Sequence, residues 1–194
     1  MAAEVVMQLQ TIVSRRIAPE TDAVVTVGRI QAGSTHNVIP ASAELWLTVR
    51  SYDEPTRRTL LDEIAHIAKS VALSYHAPVP PKVVQRKEFT PAGRNDQDWS
   101  ARLRARFEAL LGTDRVVPIP PSMGGDDFAR YGQELGIPAV YWRLGAVPAA
   151  AYAQRNDKPL PSLHSATWAP DARVALAIGI QTVVAALHEG LSAP

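Results

Sequence analysis

Three short stretches carry residue types that could do chemistry. In residues 34–40, STHNVIP, His36 and Asn37 sit in a turn ahead of a Pro, and Arg50 closes the alternating run that follows. An amide N–H and a guanidinium fork are a donor pair suited to a carboxylate. The same residues also read as an Asn turn and a solvent-facing Arg. In residues 122–128, SMGGDDF, Gly124 and Gly125 would let the backbone approach a ligand, and Asp126 and Asp127 fall where a helix begins. The plainer reading is a Gly turn with acidic caps. In residues 161–168, PSLHSATW, His164 ends a long loop. It could ligate a metal if partners converge on it, or it is a surface histidine.

Other chemistries are excluded by type or spacing. His66, His76 and His188 supply no HExxH pattern, and no GxSxG, P-loop or GxGxxG occurs. Asp126 and Asp127 are adjacent, so they cannot flank a glycosidic bond from opposite sides. The chain has no Cys, which removes disulfides, thiolate zinc sites and Cys nucleophiles.

The elements that must position these residues follow from periodicity. Val6, Leu9, Val13 and Ile17 mark an amphipathic first helix. Residues 24–30 and 42–50 read as strands, the second with Ala43, Leu45, Leu47 and Val49 facing a core and Glu44, Trp46, Thr48 and Arg50 facing outward. Asp53-Glu54-Pro55 opens a helix to about residue 75, with Leu60, Ile64, Ile67 and Val71 inward. Residues 78–89 supply a further strand. Residues 1–90 thus run helix, strand, strand, helix, strand, which is a ferredoxin-like βαββαβ arrangement lacking its first strand.

A Pro/Gly/charge-rich stretch at 90–98 marks a boundary. Residues 91–194 read as α/β: a helix from Asp98 to Leu111 with Leu103, Phe107, Leu110 and Leu111 inward, a short strand at 115–122, a helix from Asp126 to Leu135, a strand at 138–146, a loop over 147–162, and a last helix from Pro170 to Glu189. The chain has 194 residues and a net charge of +1. That balance gives no electrostatic case for nucleic acid or an anionic membrane. The start is no signal peptide, and the apolar run Val174–Leu187 is too short to span a bilayer. A cytoplasmic protein is expected.

Taken in order, AGSTHNVIPASAEL…TVRS, MGGDDF, a strand into RLG, and LHS before a last helix, the sequence resembles the carboxyl-terminal half of a dinuclear-metal amidohydrolase. That family includes aminoacylases, hippurate hydrolase, indole-acetyl amino acid hydrolases and carboxypeptidase G. The resemblance implies a lid and dimerisation domain at 1–90, followed at 91–194 by the last part of a zinc-peptidase-like catalytic domain. It implies that Asn37 and Arg50, with His36 beside them, hold a substrate carboxylate, often in the partner subunit's site. Gly124, Gly125 and Asp127 would line the pocket, and His164 would be the last metal ligand. The family's two divalent metals (Zn, Mn, Ni or Co) and its general-base Glu would need residues upstream of Met1, so this chain supplies at most one ligand and no catalytic base. Asp126 stands where Glu is common, and HSATW replaces a His-Ser-Pro-aromatic run, which leaves the substrate open. The expected function is hydrolysis of N-acyl amino acids by a homodimer, with the chain as given an inactive fragment. The alternative is a non-catalytic dimerising module that binds small carboxylates.

Overall fold

The computed structural model describes residues 1–155 and 158–192. The chain divides into two compact units. The first comprises Met1–Gly93 with Pro121–Arg130, and the second Arg94–Pro120 with the chain from Tyr131 onward.

The first unit is two helices on one face of a hairpin. Helix α1 (Ala2–Arg15) leads into strand β1 (Ala23–Ala32), which pairs antiparallel with β2 (Ala43–Ser51), and α2 (Glu54–Ser74) follows. The helix α2 starts where Asp53 accepts the Thr56 N–H at 2.7 Å, with Pro55 in its first turn. It buries Leu60, Ile64, Ile67 and Val71, as its spacing predicts. These meet Val5, Leu9 and Ile12 of α1, and Leu45, Leu47 and Val49 of β2 close the cluster from the sheet. The buried stripe of α1 is therefore one residue removed from the expected Val6–Leu9–Val13–Ile17 set. Both stripes satisfy a 3.6-residue period through Leu9, and the sheet decides between them. At the end of α1, Glu63 pairs with Arg16 at 3.1 Å, and this hydrogen bond, then its charge, raises the guanidinium pKa.

The hairpin carries one irregularity. Its register shifts between Val27 and Arg29, leaving Gly28 without a partner. A bulge of this kind reverses the inward–outward alternation. Arg29 thereby stands opposite Trp46 instead of following Val25 and Val27 into the core, and its guanidinium lies 4.9 Å from the Trp46 ring.

The second unit is helical among its described residues. Helix α3 (Gln97–Leu111) is capped by Asp96, and α6 (Ala172–Leu191) by Asp171; the two helices pack together. Leu103 and Phe107 are buried, and Phe107 meets Trp142 at 5.4 Å. Leu110, expected inside, is 47% exposed. Between α3 and α6 come a short 3-10 turn (Thr113–Arg115), α4 (Ala129–Leu135), which begins three residues later than expected, and α5 (Ala149–Ala153), which lies inside the predicted loop.

The architecture is α+β, but its sheet has two strands among the described residues. The predicted strands at 78–89, 115–122 and 138–146 are not strands here. Pro78, Pro80 and Pro81 remove ladder donors from the first. The last is extended in part: Asn95 brackets Tyr141 through both its N–H and C=O, and Ala139 O accepts the Asp96 N–H, but no ladder forms. The apolar run judged too short for a bilayer belongs to α6, whose 20 residues and mean hydropathy of 1.6 make it long and apolar enough to cross a membrane by length and composition alone. Its Glu189 is paired with Arg102 at 2.8 Å and Arg106 at 3.6 Å on α3.

Candidate functional site

Arg50 is the candidate residue that the fold places most definitely. The β2 alternation that buries Leu47 and Val49 turns Arg50 to the exposed face, opposite Val24. Its Nη1 donates to the carbonyl of Met123, 73 residues further on. A Cβ added at Gly125 would stand 3.9 Å from the same nitrogen. Arg50 and the Gly124–Gly125 turn are thus neighbours within the first unit. The guanidinium has five N–H groups in a fixed fork, so the bond to Met123 leaves donors for an anion.

The acidic pair next to this turn is partly structural. Asp126 accepts the Phe128 N–H at 2.9 Å, and the Asp127 carbonyl accepts the Arg130 N–H at 3.0 Å. Asp126 thus closes an Asx-type turn just ahead of α4 and does not cap the helix, which begins at Ala129.

His36 and Asn37 occupy the exposed turn that joins β1 to β2. The paired ladder begins beside that turn at Ala32–Ala43 and reaches Arg50 seven residues later, about 24 Å of strand at ~3.4 Å per residue. No hydrogen bond joins Asn37 to Arg50 among the described residues. His164 belongs to the second unit. It is exposed in a pair of turns, where its N–H lies 3.4 Å from Ser162 Oγ, and the Ser162 carbonyl accepts from Ser165.

The donor set does not fit a dinuclear centre. Among the described residues, no three His, Asp or Glu side chains gather where they could hold a metal ion. An open apolar groove of about 300 Å³ does exist in the second unit, lined by Trp142, Val183, Ala186, Leu187, Gly190 and Leu191. It contains none of the predicted site residues.

Sequence alone does not point to Met123, nor to a separate cluster in the same unit formed by Phe89, Arg57 and Arg130. Met123 contributes only a backbone carbonyl, which no residue type announces. Phe89 is flanked by Arg57 and Arg130, with guanidinium carbons 4.0 and 5.0 Å from the ring centroid. Of these three, Phe89 alone carries a local signal, an aromatic in the basic stretch 86–89, which instead reads as strand.

Comparison with known proteins identifies the family. Residues 1–76 match the peptidase dimerisation domain of the M20 family. The chain belongs to the M20 amidohydrolase family, matching its carboxyl-terminal portion. N-acetylcysteine deacetylase of Bacillus subtilis is 34% identical over 146 residues, covering 74% of this chain and 36% of that protein. A Rhodococcus jostii protein bearing the name glutamate–cysteine ligase 2-3 is 32% identical over 191 residues, covering 94% of this chain but 21% of its own length. The crystal structure of a B. subtilis dinuclear metal binding peptidase from the M20 family superposes with a TM-score of 0.64 at 22% identity, covering 96% of this chain and 44% of that one. That likeness speaks for the fold. The M20 chain described here thus spans less than half the length of each of these relatives.

Proposed function

We propose that this M20 chain provides the lid and the last catalytic segment of a metal-dependent amidohydrolase acting on N-acyl amino acids, and that Arg50 holds the substrate's free carboxylate. The observation that carries the reading is the placement of Arg50 on the exposed hairpin face, against the Gly124–Gly125 turn. A fork of donors there, backed by a turn without side chains, suits a small planar anion. The deacetylase name of a relative supports an N-acyl amino acid as the source of that anion.

Asn37, with His36 beside it, is the second donor. The hairpin sets it beyond the far end of the ladder from Arg50, so in this reading the two donors serve a homodimer in which one copy's turn reaches its partner's site. Residues 1–90 form the ferredoxin-like lid and 91–194 the catalytic segment, in a cytoplasmic enzyme. Gly124, Gly125 and Asp127 line the pocket, and His164 is one metal ligand. Two divalent metals, when bound, supply an activated water and polarise the scissile carbonyl. The described residues do not assemble that centre, and the part read here for this chain is to bind and orient substrate.

Calorimetric titration of the 194-residue chain with N-acetyl-L-alanine and with its carboxamide tests the reading. Binding of the acid alone, lost in Arg50→Gln and weakened in Arg50→Lys, is expected. Equal binding of acid and amide would sink it. The match of residues 1–76 to a peptidase dimerisation domain supports a second reading, a dimerising module that binds carboxylates without hydrolysis. Neither reading predicts acetate release from this chain alone, so a thermal melt separates them: a catalytic segment binds a dye that reports apolar surface and melts broadly, whereas the module melts in one cooperative transition without dye.

A further inference from the structure

Phe89 stands in a segment that is neither strand nor helix, yet its ring is held from two elements. Arg57 of α2 covers it at 4.0 Å, and Arg130 of α4 lies at 5.0 Å. A guanidinium against an aromatic face is attracted by the ring quadrupole, and more strongly as water is excluded. The Arg57 side chain is only 17% exposed and is fixed by Glu54 at 3.1 Å. Arg130 also donates through Nη2 to the Phe89 carbonyl. Four residues on, a Cβ at Gly93 would touch the Cβ of Ala129 at 3.7 Å, so residues 89–93 run close alongside the start of α4.

The consequence falls on the segment from Met123 to Arg130. One end is bonded to Arg50 through the Met123 carbonyl, and the other is bonded to Phe89 through Arg130. Between them lie Gly124, Gly125 and Asp127. The Arg50 end is a weak tether, a single hydrogen bond from an exposed side chain that an arriving carboxylate would also engage through its remaining donors. The Phe89 end is a second hold on the segment, independent of Arg50.

We propose that Phe89 is a positioning residue: clasped between Arg57 and Arg130, it holds the Gly124–Asp127 turn against Arg50 while Arg50 engages its anion. The part of this that concerns the anion rests on the carboxylate role of Arg50 proposed above.

The test uses the full chain and three variants. Phe89→Leu keeps most of the apolar volume and removes the quadrupole; Phe89→Tyr keeps the face; Phe89→Ala removes both. Amide hydrogen exchange of residues 122–128 is read against α1 and α2 in the same sample. Loss of two cation–π contacts predicts exchange about 5- to 30-fold faster at 122–128 in Phe89→Leu, with α1 and α2 unchanged and Phe89→Tyr close to wild type. N-acetyl-L-alanine affinity should fall by a similar factor in the same variant and recover with Tyr. Unchanged exchange at 122–128, an equal rise in α1 and α2, or failure of Tyr to restore protection would each overturn the proposal. If the unmodified chain binds no N-acetyl-L-alanine, the carboxylate reading of Arg50 fails, and the exchange data alone decide the role of Phe89.

Discussion

His76 is the one non-glycine residue with positive φ among the described residues, at +51°. It follows the last turn of α2. Its N–H donates to the Leu73 carbonyl at 3.0 Å, and the Ala77 N–H donates to the Ala72 carbonyl at 2.9 Å. This pair of bonds is the Schellman ending, which needs a left-handed residue at the position His76 fills. A Cβ there costs about 1–2 kcal/mol, whereas Gly adopts the conformation freely but loses more backbone entropy on folding, by about 0.4–1 kcal/mol. His76→Gly should therefore stabilise the first unit by about 0.5–1 kcal/mol. In a unit of about a hundred residues this raises the thermal midpoint by about 2–8 °C. His76→Ala keeps the Cβ and should stay within ~0.3 kcal/mol of wild type. Because two units need not melt together, exchange of the α2 amides should accompany the thermal scan. If His76→Gly lowered the midpoint while Ala lowered it too, the imidazole would be stabilising in its own right and the strain argument would be wrong.

Leu60 is fully buried at the centre of the first core, so Leu60→Ala should cost about 2–5 kcal/mol, read from urea midpoints at constant slope. Gly112 has φ +97° and ψ 147°, and a Cβ would meet Asp114 Oδ1 at 2.8 Å; Gly112→Ala should destabilise the second unit by about 1–3 kcal/mol, seen as faster exchange at the end of α3. Leu176, Ile180 and Leu187 are 63%, 62% and 58% exposed on α6. The chain should bind a dye that reports apolar surface, and Ile180→Lys should reduce that signal without lowering the thermal midpoint; a signal equal to wild type would place the dye elsewhere.

What could be read in advance was local. The period of two in β2 foretold that Leu45, Leu47 and Val49 face the core and that Arg50 does not, because pleat and sequence share that period. The α2 stripe was legible for the same reason at a period of 3.6. The α1 stripe was ambiguous because Val5 and Val6 serve equally until a sheet arrives. The β-branched runs at 78–89 and 138–146 were misread because a strand is defined by a neighbour, and composition is silent about neighbours. The surroundings of Arg50 were hidden by separation: its acceptor is a carbonyl, and its flanking turn is held by a ring and two cations far apart in sequence. The Gly28 bulge was visible only as a Gly in a strand; that it turns Arg29 onto Trp46 required the register.

The separation of 73 positions from Arg50 to Met123 also sets a schedule. Helix α1, the hairpin and α2 are contiguous, so they can collapse as they leave the ribosome. The Met123 carbonyl is made later, by about 4–15 s at ~5–20 residues per second. For that interval Arg50 is already on a folded surface and its turn does not yet exist. The Arg50 face is therefore assembled in two stages, and a ribosome paused before residue 123 would present a finished hairpin whose Arg50 lacks the Met123 carbonyl.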